Sequence, residues 1–239
     1  MKKINKEQPP NELTKWRTDN AAVPQNLFYG LAEFPTGEVL GTLLEEQGHV
    51  CAYTLLRLNG ESAHVEHLKP QTICKSDDKA RGLARQPLLR EDIDWNNLVA
   101  CFPKPNMLAS PEYGAVKKDK WWHAEDFVSP LQTDCEGRFR FTPDGKISPT
   151  KITDVPALTT IKKIGLDNEK LCELREKAYL IAGIHRKADK PITSATKVEQ
   201  LIAKWSKKDT NTASCAEFCV PLVQVAKEYA QFLRLRGFT

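Results

Sequence analysis

The sequence predicts an α+β protein: a small ββα element with flanking helices, followed by a helical C-terminal module. Three observations predict it. Ala63 to Leu68 alternates polar and apolar residues, as a half-buried strand does. Asn59-Gly60, just before it, is a strong two-residue hairpin signal. Beyond residue 150 the apolar residues fall at helical spacing behind capping residues. The expected division is residues 1–150, strand-bearing with N-terminal helices, and residues 151–239, a helical module for packing or partner docking.

Gly37 to Gln47 reads as the clear N-terminal helix, ended by Gly48. Val50 to Leu58 reads as a strand that turns at Asn59-Gly60 into the return strand Ala63 to Leu68. On that strand His64 and Glu66 share one face, and Val65 and His67 the other. Gln71 to Trp95 is polar and basic and reads as a loop, in which Leu88-Leu89 need a place to pack. Gly114 to Trp122 completes the unit as a short helix. In the C-terminal part, Leu171, Leu174, Ala178, Ile181, Ala182 and His185 lie on one helical face. Thr196-Lys197-Val198-Glu199 and Ser214-Cys215-Ala216-Glu217 read as capping boxes for two more helices. Pro221 is expected to kink the last helix, and Gly237 to end it.

Composition narrows the function classes. The chain has 239 residues, 41% hydrophobic and 28% charged, ordinary values for a globular protein of one large or two small domains. No apolar run reaches membrane length, and Met1-Lys2-Lys3 leads into polar residues, not a signal-peptide core. Seven irregularly spaced cysteines do not read as a disulfide framework, so the expected setting is cytoplasmic, with reduced thiols. No Gly-rich phosphate loop of the GxxxxGK[ST] type occurs. Residues 1–150 carry 19 Lys and Arg against 21 Asp and Glu, and residues 151–239 carry 16 against 10. The basic excess therefore lies in the C-terminal part, where it suits a phosphate backbone and equally a solvated helical face.

The residues that carry chemistry begin at His64-Val65-Glu66-His67-Leu68-Lys69-Pro70, with two imidazoles and a carboxylate within four positions. Asn97-Leu98-Val99-Ala100-Cys101 follows, then Gly114-Ala115-Val116-Lys117-Lys118. An acid–His–x–x–Pro strand, an Asn-Leu-Val and a lysine-bearing helix is the order of parts in an HNH (ββα-metal) nuclease site. Phosphodiester hydrolysis needs a base to activate water and a divalent cation at the phosphate. Glu66 and His67 are adjacent, so on a strand they diverge, one toward a metal and one toward the water. His67 is the expected base. A lone strand histidine is usually a surface residue, and here Glu66, Pro70 and Asn97 in register favour catalysis. Asn97 is expected to orient the loop and the base through backbone hydrogen bonds.

Glu66 is the expected metal ligand, and His64, on the same face, reads equally as a second ligand, a supporting group or an exposed residue. Glycine at position 114 offers no donor atom, so Asp119 and His123 are the candidates for a third ligand. Asp119 can instead pair with Lys118 or Lys120. Lys117 or Lys118 is a candidate to hold a phosphate of the substrate. Trp121-Trp122 suits base stacking, though adjacent tryptophans more often serve a core or an interface. Mg²⁺ suits Glu66, and Mn²⁺ becomes the better match if His64 is a ligand.

Nearly end to end, the chain resembles the PtuB-type HNH nucleases of Septu antiphage systems, which also occur in some retron cassettes. The resemblance runs from Met1-Lys2-Lys3-Ile4, Pro9-Pro10 and Leu13-Thr14-Lys15-Trp16 through Leu43-Leu44-Glu45-Glu46-Gln47-Gly48 and Cys51-Ala52-Tyr53 to Glu66-His67-x-x-Pro70. It continues through Pro130-Leu131, Cys135, Phe139-Arg140-Phe141, Asp144-Gly145-Lys146-Ile147 and Leu166-Asp167-Asn168 with Leu171 and Arg175. It implies antiviral defence, a nucleic-acid substrate and an ABC-type, PtuA-like ATPase partner. A homodimer within a larger complex is an assembly it allows.

Many members carry Cys-x-x-Cys at the first strand and a second cysteine pair before the Gly-x-x-Lys helix, a tetrathiolate zinc pattern. Here Cys51 and Cys101 remain, but Thr54 and Tyr113 stand where the other two would be. The structural zinc is therefore expected to be absent. Two other classes fit the sequence. One is a degenerate, non-catalytic HNH module that binds nucleic acid or a partner. The other is a nuclease toxin restricted to RNA such as tRNA.

Overall fold

The computed structural model describes residues 1–104 and 111–238. It is a mixed α+β protein. The described residues form eight α-helices: α1 (Asn11–Asp19), α2 (Thr36–Gln47), α3 (Gln71–Leu83), α4 (Ala115–Lys118), α5 (Val155–Ile164), α6 (Glu169–Ile181), α7 (Ala195–Trp205) and α8 (Cys219–Leu235). They also form two small antiparallel sheets, β1 (His64–His67) with β2 (Leu98–Cys101), and β3 (Phe139–Phe141) with β4 (Ile147–Pro149). One cluster of buried apolar side chains runs through both parts, from Met1 and Leu13 to Val225 and Leu233.

Helix α2 is where the sequence places it, ended by Gly48 in the left-handed region (φ 65°), which glycine adopts without steric cost. Strand β1 also forms, but its partner is β2, with His64 opposite Cys101 and Glu66 opposite Val99. The strand expected over Val50 to Leu58 is absent. That stretch folds back on itself: the Cys51 N–H donates to the Leu56 carbonyl (2.9 Å) and the Leu55 N–H to the Cys51 carbonyl (3.1 Å). Only an isolated bridge joins Val50 to Arg57. Its apolar run is genuine core, since Val50 to Leu55 is buried throughout. A short apolar run signals burial, not conformation.

The Asn59-Gly60 turn exists, but it joins no pair of strands. The Asn59 side chain organises it, accepting from the N–H groups of Glu61 (3.1 Å) and Ser62 (2.8 Å).

The expected loop after Pro70 opens with α3. This helix buries only Cys74 and Asp78, so it carries almost no apolar periodicity to read. Asp78 accepts from the backbone N–H groups of Leu89 (2.7 Å) and Arg90 (3.2 Å), which folds the following segment against the helix. Leu88 and Leu89 do not find the packing expected of them and stay 40% and 52% exposed.

Helices α1 and α5 were not apparent from periodicity, although Asp154 caps α5 by accepting from the Ala157 N–H, with Pro156 in the first turn. Helix α6 forms over the first part of the expected face, but Ile181 is 78% exposed and Ala182 and His185 lie past its end. Helix α7 is capped by Ser194, not Thr196. Ser214 does not cap α8, which starts four residues later behind Phe218, and Glu217 instead accepts from the Arg57 N–H (2.9 Å). Pro221 thus stands in the first turn of α8, where a missing N–H leaves no bond unmade, so the expected kink has no cause. Gly237 (φ 80°) ends α8 as expected.

Candidate active site

The β1–β2 pair divides the predicted residues between two faces. On one, Glu66 sits with His64 and Lys118. Glu66 Oε1 accepts from Lys118 Nζ at 2.9 Å, and Glu66 Oε2 lies 3.6 Å from His64 Nε2. The Lys118 side chain is 0% exposed, and its ammonium also donates to the His67 carbonyl at 2.8 Å. Burial opposes ionisation of Glu66, but the nearby His64 imidazole and the Lys118 ammonium prevail and hold its pKa below the usual carboxylate value.

On the other face His67 is 8% exposed. Its ring meets Tyr29 edge to face, with centroids 4.6 Å apart. Its Nε2 lies 2.9 Å from the Asp92 carbonyl oxygen. A carbonyl only accepts, so Nε2 carries the hydrogen in the neutral ring, and Nδ1 keeps the lone pair. Burial lowers the His67 pKa below 6.5, which favours that neutral form.

Asn97 braces this arrangement. Its side chain accepts from the Lys69 N–H (2.7 Å) and donates to the carbonyls of Lys69 (3.0 Å) and Glu91 (2.8 Å). It therefore ties the end of β1 to the turn that precedes β2. The Asp92 carboxylate in turn accepts from the Tyr29 N–H (3.0 Å), fixing the segment that presents its carbonyl to His67. Asp92, Tyr29 and Glu91 were not singled out from the sequence.

The remaining candidates lie apart. Asp119 is exposed and ends α4 at φ 44°, ψ −122°, a conformation that L residues rarely adopt. His123 pairs with Asp126 (3.1 Å), not with Asp119. Lys117 is exposed. Lys118, the other candidate for phosphate, is turned inward onto Glu66. Trp121 packs edge to face on Phe127 (5.8 Å), and Trp122 faces the Lys69 ammonium (5.2 Å).

Among the described residues no group of three or more His, Cys, Asp or Glu is arranged to hold a metal. Glu66 and His64 bring two donors together, 3.6 Å apart. One small cation bonded to each at about 2.1 Å spans nearly that distance, and Mg²⁺ commonly keeps waters and substrate phosphates for the rest of its shell. The pair thus fits a cation held by two protein ligands, beside the Oε1 that Lys118 holds.

Behind β2 lies the cysteine cluster. Cys51 is buried, which raises a thiol pKa, yet hydrogen bonds from Cys101, Thr54 and the Phe102 N–H bring it down to about 6. Gly114 (φ 77°) closes the cluster: a Cβ there would come within 3.1 Å of the Phe102 carbonyl oxygen and 3.3 Å of the Thr54 methyl. Tyr113 is buried beside it, close enough for Cys51 to act on its phenol.

No protein-family model matches the chain, and no curated protein matches it.

Proposed function

We propose that the chain is an HNH-type endonuclease that hydrolyses phosphodiester bonds with a divalent cation, and that it works in antiphage defence beside an ABC-type ATPase. The observation that carries the chemistry is the pairing of His67 and Glu66 on adjacent strand positions. One is a neutral imidazole with its Nε2–H fixed on the Asp92 carbonyl, the other an ionised carboxylate beside a second imidazole.

In this reaction His67 Nδ1 takes a proton from water as the water attacks phosphorus in line. Asn97 and Asp92 keep the ring in orientation and tautomer. Glu66 and His64 hold the cation. When bound, the cation supplies charge stabilisation at the phosphate and the leaving oxygen. Mn²⁺ suits an imidazole–carboxylate pair better than Mg²⁺ does. The defence setting and the ATPase rest on the resemblance to PtuB-type nucleases.

The test is cleavage of DNA and RNA by the purified protein against His67→Ala. The variant should lose at least about 10²-fold, the usual scale of a general base. Glu66→Ala should also abolish cutting. Wild-type rates in His67→Ala would exclude the mechanism.

One observation favours a second reading, a non-catalytic module that binds nucleic acid or a partner: Lys118 already occupies the Glu66 carboxylate. In that case wild type and His67→Ala would be equally inactive.

A further inference from the structure

We propose that Lys118 is an exchanging counter-ion: without metal its ammonium balances the Glu66 carboxylate through Oε1, and a divalent cation at Oε2 and His64 loosens that hold, so that the ammonium passes to the scissile phosphate. The inference rests on the nuclease function proposed above and concerns how that site is switched on.

Lys118 is placed as a cation, not as packing. Its side chain is fully buried, and its ammonium has two oxygen partners, Glu66 Oε1 at 2.9 Å and the His67 carbonyl at 2.8 Å. A buried ammonium persists only with an anion beside it, and Glu66 is the anion its contacts supply. Two positive groups then compete for one carboxylate. A divalent cation on Glu66 and His64 would face Lys118 at close range and repel its ammonium.

A scissile phosphate resolves the conflict. The cation takes Glu66, the ammonium takes a phosphate oxygen, and each charge keeps a partner. Lys118 would then bind phosphate only after it has left Glu66.

The segment that carries Lys118 suits such a move. Helix α4 is four residues long. Its closing bonds are those from the Lys118 N–H to the Gly114 carbonyl and from the Asp119 N–H to the Ala115 carbonyl, both 3.0 Å. The next residue, Asp119, holds a strained backbone at φ 44°. Beyond His64 and Glu66, the charged residues on this turn are Lys117, Asp119 and Lys120, all exposed.

The exchange makes cation and nucleic acid reciprocal ligands, each raising the affinity for the other. The test measures Mn²⁺ binding to the full chain without nucleic acid, by the electron paramagnetic resonance of free Mn²⁺. Lys118→Met should bind Mn²⁺ about tenfold tighter than wild type, within the usual span of such couplings. Glu66→Gln should abolish binding in either background. Loss of a merely structural lysine would leave the affinity unchanged or weaken it.

A second measurement needs no substitution. An amine-acylating reagent, read by mass spectrometry, should spare Lys118 in the metal-free protein and label it at saturating Mn²⁺. Equal affinity in Lys118→Met, or protection of Lys118 at saturating Mn²⁺, would overturn the exchange. Binding that still depends on Glu66 would then leave the nuclease function standing. No Mn²⁺ binding to any form would remove both.

Discussion

Asn97 grips both polar groups of Lys69, accepting from its N–H at 2.7 Å and donating to its carbonyl at 3.0 Å. The same amide also donates to the Glu91 carbonyl at 2.8 Å. A single side chain therefore satisfies three backbone groups at the junction of β1, the start of α3 and the turn before β2. Asn97→Ala should leave the Lys69 N–H unpaired, while the Lys69 carbonyl keeps Cys74 Sγ (3.3 Å) and the Glu91 carbonyl keeps the Asp94 N–H (3.3 Å). The cost should be about 1–3 kcal/mol, the desolvation penalty of one buried donor. Asn97→Asp keeps the acceptor and loses both donations, and should fall between. Urea unfolding measures the cost. A loss below about 0.5 kcal/mol in Asn97→Ala, the size of an ordinary surface change, would show that the brace is not needed.

The pH dependence follows from His67. Its folded pKa lies below 6.5 because burial disfavours the imidazolium. The unfolded chain therefore binds this proton at higher pH than the folded chain does. Stability from the neutral ring is complete above about 6.5 and is lost as pH falls through the folded pKa. Relative to His67→Gln, wild type should lose stability between pH 7 and pH 5, measured by urea midpoints. Glu66, also lowered, adds a separate loss at more acid pH in both proteins. The acid limb of kcat/KM should accordingly lie below 6.5, because the base stays unprotonated down to its lowered pKa. A limb above 6.5 would mean that another group titrates.

If the chain docks on an ATPase, as its resemblance to PtuB-type nucleases implies, the helical module is the expected surface, with Ile202, Trp205, Tyr229 and Phe232 as candidate contacts. Tyr229 is buried, with its hydroxyl donating to the Ile192 carbonyl (3.0 Å), and the other three pack partly against the core. Much of that surface is therefore spent inside the chain, and the docking prediction applies to the whole protein. Co-expression with the ATPase should give a complex that survives size-exclusion chromatography at moderate salt, and the nuclease should be toxic only when released or switched on. Separate elution, with a free chain that is folded and constitutively active, would exclude restraint by the ATPase.

The parts of the fold with strong local chemistry were legible in the sequence. Gly48 ended α2 and Gly237 ended α8 because each is a left-handed position that glycine favours. The alternation around Glu66 marked β1, because one face of that strand is buried. Its partner was not legible: Asn59-Gly60 is a local signal, whereas the pairing of β1 with β2 is decided by burial of Leu98 to Cys101 against the rest of the core. Helix α3 was missed because burying Cys74 and Asp78 alone leaves no apolar stripe. At the site, sequence order brought His64, Glu66, His67 and Asn97 to notice. It could not show that Lys118 turns inward, since a lysine on a four-residue helix has no preferred face until the strand beside it is in place.

The cysteine cluster offers the most direct test of how this core is held. Cys51 accepts from the Phe102 N–H at 3.4 Å, Cys101 and Thr54 act on its thiol, and Tyr113 is buried. Cys51, Thr54, Cys101 and Tyr113 stand at the four positions at which the PtuB-type pattern carries cysteine. Cys51 is already poised as a thiolate, at about 6, while Cys101 is raised well above the ordinary thiol value by burial and by Cys51 itself. Two thiols without further ligands make a weak site for zinc, which prefers four donors in a tetrahedron. The double variant Thr54→Cys, Tyr113→Cys should therefore take up one zinc per chain and hold it through dialysis, and wild type should not. Removal of the Tyr113 ring opens space, so the metal-free variant should be less stable than wild type by about 3 kcal/mol, the scale of an aromatic truncation in a core. Zinc should more than restore it, because metal bound only by the folded state adds its binding energy to folding. The checks are metal content by mass spectrometry and Tm with zinc and with chelator. One tightly held zinc in wild type, lost on Cys51→Ser, would show that other residues complete the site. A double variant that binds none would show that these four positions do not converge on a point.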